Sequence, residues 1–210
     1  MSNGNGYDIS HFPAGSKWFW NWIPDTSIIH MQPEGSTIDC PSCVASGKFT
    51  LLAFDDKGVA PTPEKKMGIH IPISTSGNTL YSYWLSYRGA GKDGDAANGL
   101  SIHLTWLILH GPFGATYDST NYDAFGDTTT TFDSFVEVNT CYHIFPNGFM
   151  KDRNYAAVEN VQPVVCVNQI NVGTSIDVEV SFLEPNVMPV SRNSLNIQPQ
   201  TFTCSSSGGT

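Results

Sequence analysis

Nine short runs of strand-forming residues, with no helical period of any length, limit what this 210-residue chain can fold into. The runs are Ser27–Met31, Lys48–Phe54, Gly68–Ile73, Leu80–Arg88, Leu100–Leu109, Thr130–Val138, Cys141–Phe145, Gln162–Ile170 and Ser175–Leu183. No adequate window repeats apolar residues at i, i+3, i+4 and i+7 without a Pro or Gly interrupting it. The last run, SIDVEVSFL, alternates cleanly and reads as a strand with one wet face. Turn chemistry fills the gaps, as in Asp55-Asp56-Lys57-Gly58, Ser76-Gly77-Asn78 and Pro146-Asn147-Gly148. The 19 Gly and 13 Pro fit that pattern of many short strands.

The expectation is an all-β chain, an antiparallel β-sandwich of jelly-roll-like kind, forming one domain or two closely packed small ones. Its organisation reads as an N-terminal extension (1–16), a first β-sheet region (17–110) and a loop or linker (111–127). A second β region (128–184) and an extended C-terminal tail (185–210) follow. The 111–127 segment, GPFGATYDSTNYDAFGD, breaks the strand rhythm, and the tail is rich in Pro, Ser and Gly.

Hydrophobic residues make up 40% and charged residues 14%, enough apolar surface for a core and too little charge for a disordered chain. The formal net charge of −9 and the scattered Lys and Arg argue against nucleic acid as a partner. No apolar run approaches the roughly 18 residues of a membrane span. The opening, MSNGNGYDIS, lacks a signal-peptide pattern, so the chain is read as unsecreted by that route or as a mature fragment.

The cysteines point outside the cell. Cys141 and Cys166 each lie in a strand-like run, a placement that suits a bridge between neighbouring strands. Cys40-Pro41-Ser42-Cys43 is either a second bridge or half of a zinc site, although no second CxxC or paired His follows it. Cys204 is left over.

The chain holds no HExxH, no GxSxG elbow and no Gly-rich phosphate loop, so no catalytic residue is assigned. His103 and His110, seven apart in one run, fall on opposite faces and read as structural. Two acidic loops are the candidates for a metal. Asp93, Asp95 and Asn98 form one, and Asp118, Asp123 and Asp127 the other, each offering the hard oxygens that calcium prefers. Neither matches the EF-hand spacing, and solvated turns explain both equally. No other cofactor is implied. The cluster KWFWNWIPD supplies Trp18, Trp20 and Trp22, read either as a recognition surface or as filler between a sheet and a preceding segment.

The order of motifs, KWFWNWIPDTSI, SGKFTLLAFDD, MGIHIPI, YSYWLSYRG, NGLSIHLTW and VVCVNQINVGTSIDVEVSF, resembles the region after the catalytic domain in gametolysin-like and immune-inhibitor-A-like zinc metallopeptidases. It spans roughly residues 17 to 183. The resemblance implies a non-catalytic accessory β region acting outside the cell or at its surface, with a protein or glycoprotein partner. Tyr87 and Arg88 match the family's "YR" pair and His103 the His of its "IHL" strand. All three are structural on that reading, with Arg88 pairing to Asp93 or Asp95. Because the zinc signature is missing, no zinc ligand carries over. Two rivals stand beside this reading. One is a self-assembling jelly-roll viral capsid subunit, and the other is a processed part of a metallopeptidase whose zinc domain is on another chain.

Overall fold

The computed structural model describes residues 14–36, 38–53, 65–76, 78–87, 89, 99–110, 114–121, 134–135, 138–144 and 162–183. Two multi-stranded sheets face one another, so the chain is all-β and sandwich-like. Among the described residues the elements, in chain order, are a short helix α1 (Ala14–Phe19), a 3-10 turn (Asp25–Ser27) and eleven strands. The strands are β1 (Ile28–His30), β2 (Gly47–Leu52), β3 (Lys65–Lys66), β4 (Gly68–Ser76), β5 (Thr79–Tyr87) and β6 (Leu100–Leu109). They continue with β7 (Ala115–Asn121), β8 (Ser134–Phe135), β9 (Thr140–His143), β10 (Pro163–Asn171) and β11 (Ser175–Phe182).

The first sheet runs β1-β4-β5-β6-β7, with β8 also on β6, and the second runs β3-β2-β11-β10-β9. Most pairs are antiparallel, but β1 joins β4 and β2 joins β3 in parallel, so both sheets are mixed. Three features differ from the sequence reading. The supposed 111–127 linker holds β7, which pairs with β6 from His103 to Leu109. Its Thr/Ser/Tyr-rich sequence carries strand propensity but no apolar alternation, which is why it read as a loop. The second sheet takes β2 and β3 from the 17–110 segment and β9 to β11 from the 128–184 segment, so those segments are not separate sheets. Helix α1, finally, starts inside what was read as the N-terminal extension.

Alternation decides which side chains meet in the middle. Ile69, Ile71 and Ile73 of β4, Tyr83, Leu85 and Tyr87 of β5, and Leu100, Ile102 and Leu104 of β6 form the inner face of the first sheet. Leu51, Val165, Val167, Ile176, Val178 and Val180 face them from the second, with Met31, Ala53 and Ile144 completing one core. The outer face of the second sheet is wet, as SIDVEVSFL suggested. There Thr50 donates to Asp177 at 2.6 Å and Lys48 meets Glu179 at 3.4 Å. Cys141 and Cys166 sit directly opposite on that sheet and are bridged, and Cys40 is bridged to Cys43. The second bridge disposes of the half zinc site, since neither sulfur is a free thiolate.

The outer face of the first sheet is of another kind. His70, Ser82, Trp84, Ser86, Ser101, His103 and Thr105 all point outward, yet every one of them is buried. Strand β5 is therefore covered on both sides. Polar groups under cover need partners, and these partners define the candidate site.

Candidate functional site: a histidine row beneath a tryptophan helix

Strand register builds the site. His30 of β1 is the direct neighbour of His70 in β4, His70 of Trp84 in β5, and Trp84 of His103 in β6. One row thus crosses the outer face of the first sheet with the order His, His, Trp, His. Each His interrupts an Ile- or Leu-rich run (SIIH, GIHIP, SIHLT), so its neighbours on the other face are core residues and the imidazoles must look outward.

Helix α1 covers part of this row. Gly15 lets the helix close on the sheet, because a β-carbon there would lie 2.9 Å from the Trp84 ring and against the Tyr117 hydroxyl. Phe19 stacks on Tyr117 with ring centroids 4.9 Å apart. Burial pushes the Tyr117 phenol above its ordinary range. Ala14, Ile23, Ile28 and Trp84 form a small apolar cluster under the helix, with Trp18 and Met67 packed against it.

The helix ends in a Schellman motif. The Asn21 amide donates to the Trp18 carbonyl and the Trp22 amide to the Lys17 carbonyl, both at 2.8 Å, while Asn21 takes a φ of 60°. Asn tolerates that left-handed conformation better than most residues. The reversal splits the three tryptophans that the sequence grouped together. Trp18 turns inward and half-buried, whereas Trp20 and Trp22 stand out in solvent, 44% and 51% exposed. Their rings lie 5.1 Å apart and are tilted by 46°.

Below the helix a chain of polar contacts runs from surface to interior. Trp18 Nε1 donates to Asp25 Oδ1 at 2.9 Å, and His30 Nε2 meets the same oxygen at 3.1 Å. His30 Nδ1 lies 3.0 Å from His70 Nδ1, and His70 Nε2 lies 2.8 Å from Ser82 Oγ. The His70 ring packs on Trp84 (4.6 Å) and on Trp18 (5.8 Å), which themselves lie 5.3 Å apart, and it stands edge-on to His30. An ionised Asp25 can only accept. With both histidines neutral, His30 donates from Nε2, His70 from Nδ1 and Ser82 from its hydroxyl, so every hydrogen bond points outward toward the carboxylate.

The charges agree with that direction. Burial first, and then His30, hold the His70 imidazole down to about 3 against the opposing pull of Asp25, so it is neutral. For Asp25, partial burial raises the carboxyl, but the Trp18 hydrogen bond and the two histidines outweigh it and leave it below 3.8. The order Asp, His, His, Ser has the sense of a hydrolase's proton relay. Ser82 Oγ, however, belongs to a residue only 2% exposed at the far end of the chain, without the open approach an acyl group needs.

The other residues singled out from sequence fall elsewhere. Asp118 lies in β7 opposite Trp106, in a strand rather than a loop. Asp93, Asp95, Asn98, Asp123, Asp127 and Arg88 lie outside the described residues. Tyr87 points into the core, and its hydroxyl ties the two sheets together. His103 is the inner end of the histidine row. Asp25, His30 and His70 were missed, because only the parallel pairing of β1 with β4 brings residues 40 apart in sequence side by side. Among the described residues no three His, Cys, Asp or Glu gather as a metal-binding group, and no helix is long and apolar enough to cross a membrane. No family model matches the chain, and neither a curated protein nor a solved structure is significantly similar to it.

Proposed function

We propose that the chain is a non-catalytic β-sandwich module, working outside the cell or at its surface, that binds glycoprotein through the Trp20–Trp22 pair. The exposure of two adjacent indoles carries this reading. Contiguous exposed apolar patches mark interaction sites more often than scattered single residues do, and a flat ring stacks well on the apolar C–H face of a sugar. The Schellman reversal holds the backbone of the pair with hydrogen bonds to Lys17 and Trp18, which lowers the ordering cost of binding. Two disulfides are compatible with an oxidising compartment. The resemblance of the motif order to the gametolysin-like accessory region supports the same role, as does the burial of Ser82.

The test is binding of the purified chain to immobilised glycoprotein before and after enzymatic removal of the glycans. Retention that falls at least tenfold on deglycosylation, and equally in Trp20→Ala/Trp22→Ala, is the expected result. Retention indifferent to both changes would end the proposal. Native mass is measured on the same sample, where a megadalton particle would replace the module with a self-assembling shell subunit.

A further inference from the structure

We infer that His30 and His70 form a binding site for a divalent transition-metal ion, Cu(II) by preference, independent of the exposed tryptophan pair. Three observations converge on it. The two Nδ1 atoms lie 3.0 Å apart, close enough to hold one ion in place of the hydrogen bond between them. Both Nε2 atoms are already engaged, His30 by the Asp25 carboxylate and His70 by Ser82 Oγ. Such outer hydrogen bonds orient an imidazole toward a metal and raise its basicity. Finally, the rings are set before any ion arrives, since Trp18 and Trp84 pack on His70 and on each other, and Trp18 also donates to Asp25.

Geometry selects the ion. Two nitrogens 3.0 Å apart, each about 2.0 Å from a metal, subtend roughly 95° there. That is the angle between neighbouring corners of a square-planar or tetragonal site, narrower than the tetrahedral angle zinc prefers. Imidazole nitrogen suits Cu(II), which also heads the affinity order of first-row divalent ions. When the metal binds, His70 changes tautomer: Nδ1 gives up its proton to solvent and the bare Nε2 takes one up, so the ring stays neutral. His70 then donates to Ser82 Oγ rather than accepting from it. The Asp25–His30 bond keeps its sense, so only the inner half of the chain reverses. Among the described residues no third His, Cys, Asp or Glu joins the pair.

The experiment is a titration of the full chain, thiols alkylated, with CuCl2 at neutral pH, followed by tryptophan fluorescence and by electron paramagnetic resonance. Trp18 and Trp84 lie within 6 Å of the His70 ring, so a paramagnetic ion there quenches them strongly. The expected result is one equivalent of Cu(II) with a tetragonal two-nitrogen signal. His30→Gln, at the sheet edge and partly exposed, is expected to abolish both quenching and signal. Asp25→Asn is expected to weaken binding about tenfold, and His110→Gln to leave it unchanged. Absence of binding would show that the two imidazoles share only a hydrogen bond. Binding equal in wild type and His30→Gln would place the ion elsewhere. Either result overturns the inference.

Discussion

The phenol of Tyr87 joins the two sheets through the β10–β11 turn: it accepts the Gly173 amide at 3.0 Å and donates to the Asn171 carbonyl at 3.4 Å. Ala53, bridged to Tyr87, donates its own amide to Thr174 in the same turn, and Gly89 packs closely on Gly173. Gly173 holds a φ of 75°, which only glycine adopts freely. The end of β5 and the hairpin of the opposite sheet are thus locked at one place. Tyr87→Phe keeps the ring but leaves the Gly173 amide without its partner. An expected loss of about 1–3 kcal/mol follows, read from urea unfolding. Amide exchange is expected to rise first at the β10–β11 turn. A rise confined to β5 would contradict this placement of the hydroxyl.

The two disulfides should differ in what they contribute. Cys141 and Cys166 close a loop of 25 residues, whereas Cys40 and Cys43 are only three apart. On the chain-entropy account the longer loop is worth roughly 3–4 kcal/mol and the shorter about half that. Cys141→Ala/Cys166→Ala is therefore expected to shift the unfolding midpoint about twice as far as Cys40→Ala/Cys43→Ala. Equal shifts would mean that the 40–43 bridge also supports the Met31–Val44 pairing beside it.

What was legible in the sequence followed from period and from local chemistry. The clean alternation of SIDVEVSFL marked a strand with one wet face, and the strand placement of Cys141 and Cys166 anticipated their bridge. What escaped was non-local. Nothing in SIIHM says that β1 lies parallel to β4, and without that pairing His30 and His70 are unrelated. Helix α1 was missed because six residues cannot show a period, and its stability comes from packing on Trp84 rather than from propensity. Grouping Trp18 with Trp20 and Trp22 failed for a similar reason. The Asn21 reversal separates them, and WFWNW reads as one aromatic cluster until a left-handed residue is placed inside it.

Gly15 controls how closely α1 approaches. The nearest ring carbons of Trp84, a residue 1% exposed, would lie 2.9 Å from an alanine β-carbon. Buried beneath the helix and packed in its apolar cluster, this indole has little room to retreat. Gly15→Ala should therefore lift the helix despite alanine's better propensity, which favours it by about 1 kcal/mol in an open helix. The expected outcome is a net loss of about 1–3 kcal/mol, the range for overpacking a filled site. Trp18 should also become more accessible to a fluorescence quencher. A stabilised protein with unchanged quenching would show that the helix adapts without cost.

Acid should weaken the fold through His70 before it does so through Asp25. The His70 imidazole titrates near 3 in the folded chain and near 6.5 once unfolded. Between those values the unfolded state takes up a proton that the folded state refuses. Stability is therefore full above about pH 6.5 and falls as pH drops toward 3, with a limiting slope of about 1.4 kcal/mol per pH unit. The depressed Asp25 carboxyl acts in the same direction at lower pH, contributing stability above 3.8 that is lost as pH falls through its folded value. Urea unfolding in EDTA at intervals from pH 7.5 to 4.5 isolates the first effect. His70→Gln is expected to be less stable at pH 7.5, where the Nδ1 contact to His30 is lost, yet to lose less further stability toward pH 4.5 than the parent. Parallel curves for the two proteins would mean that His70 takes its proton without leaving the row.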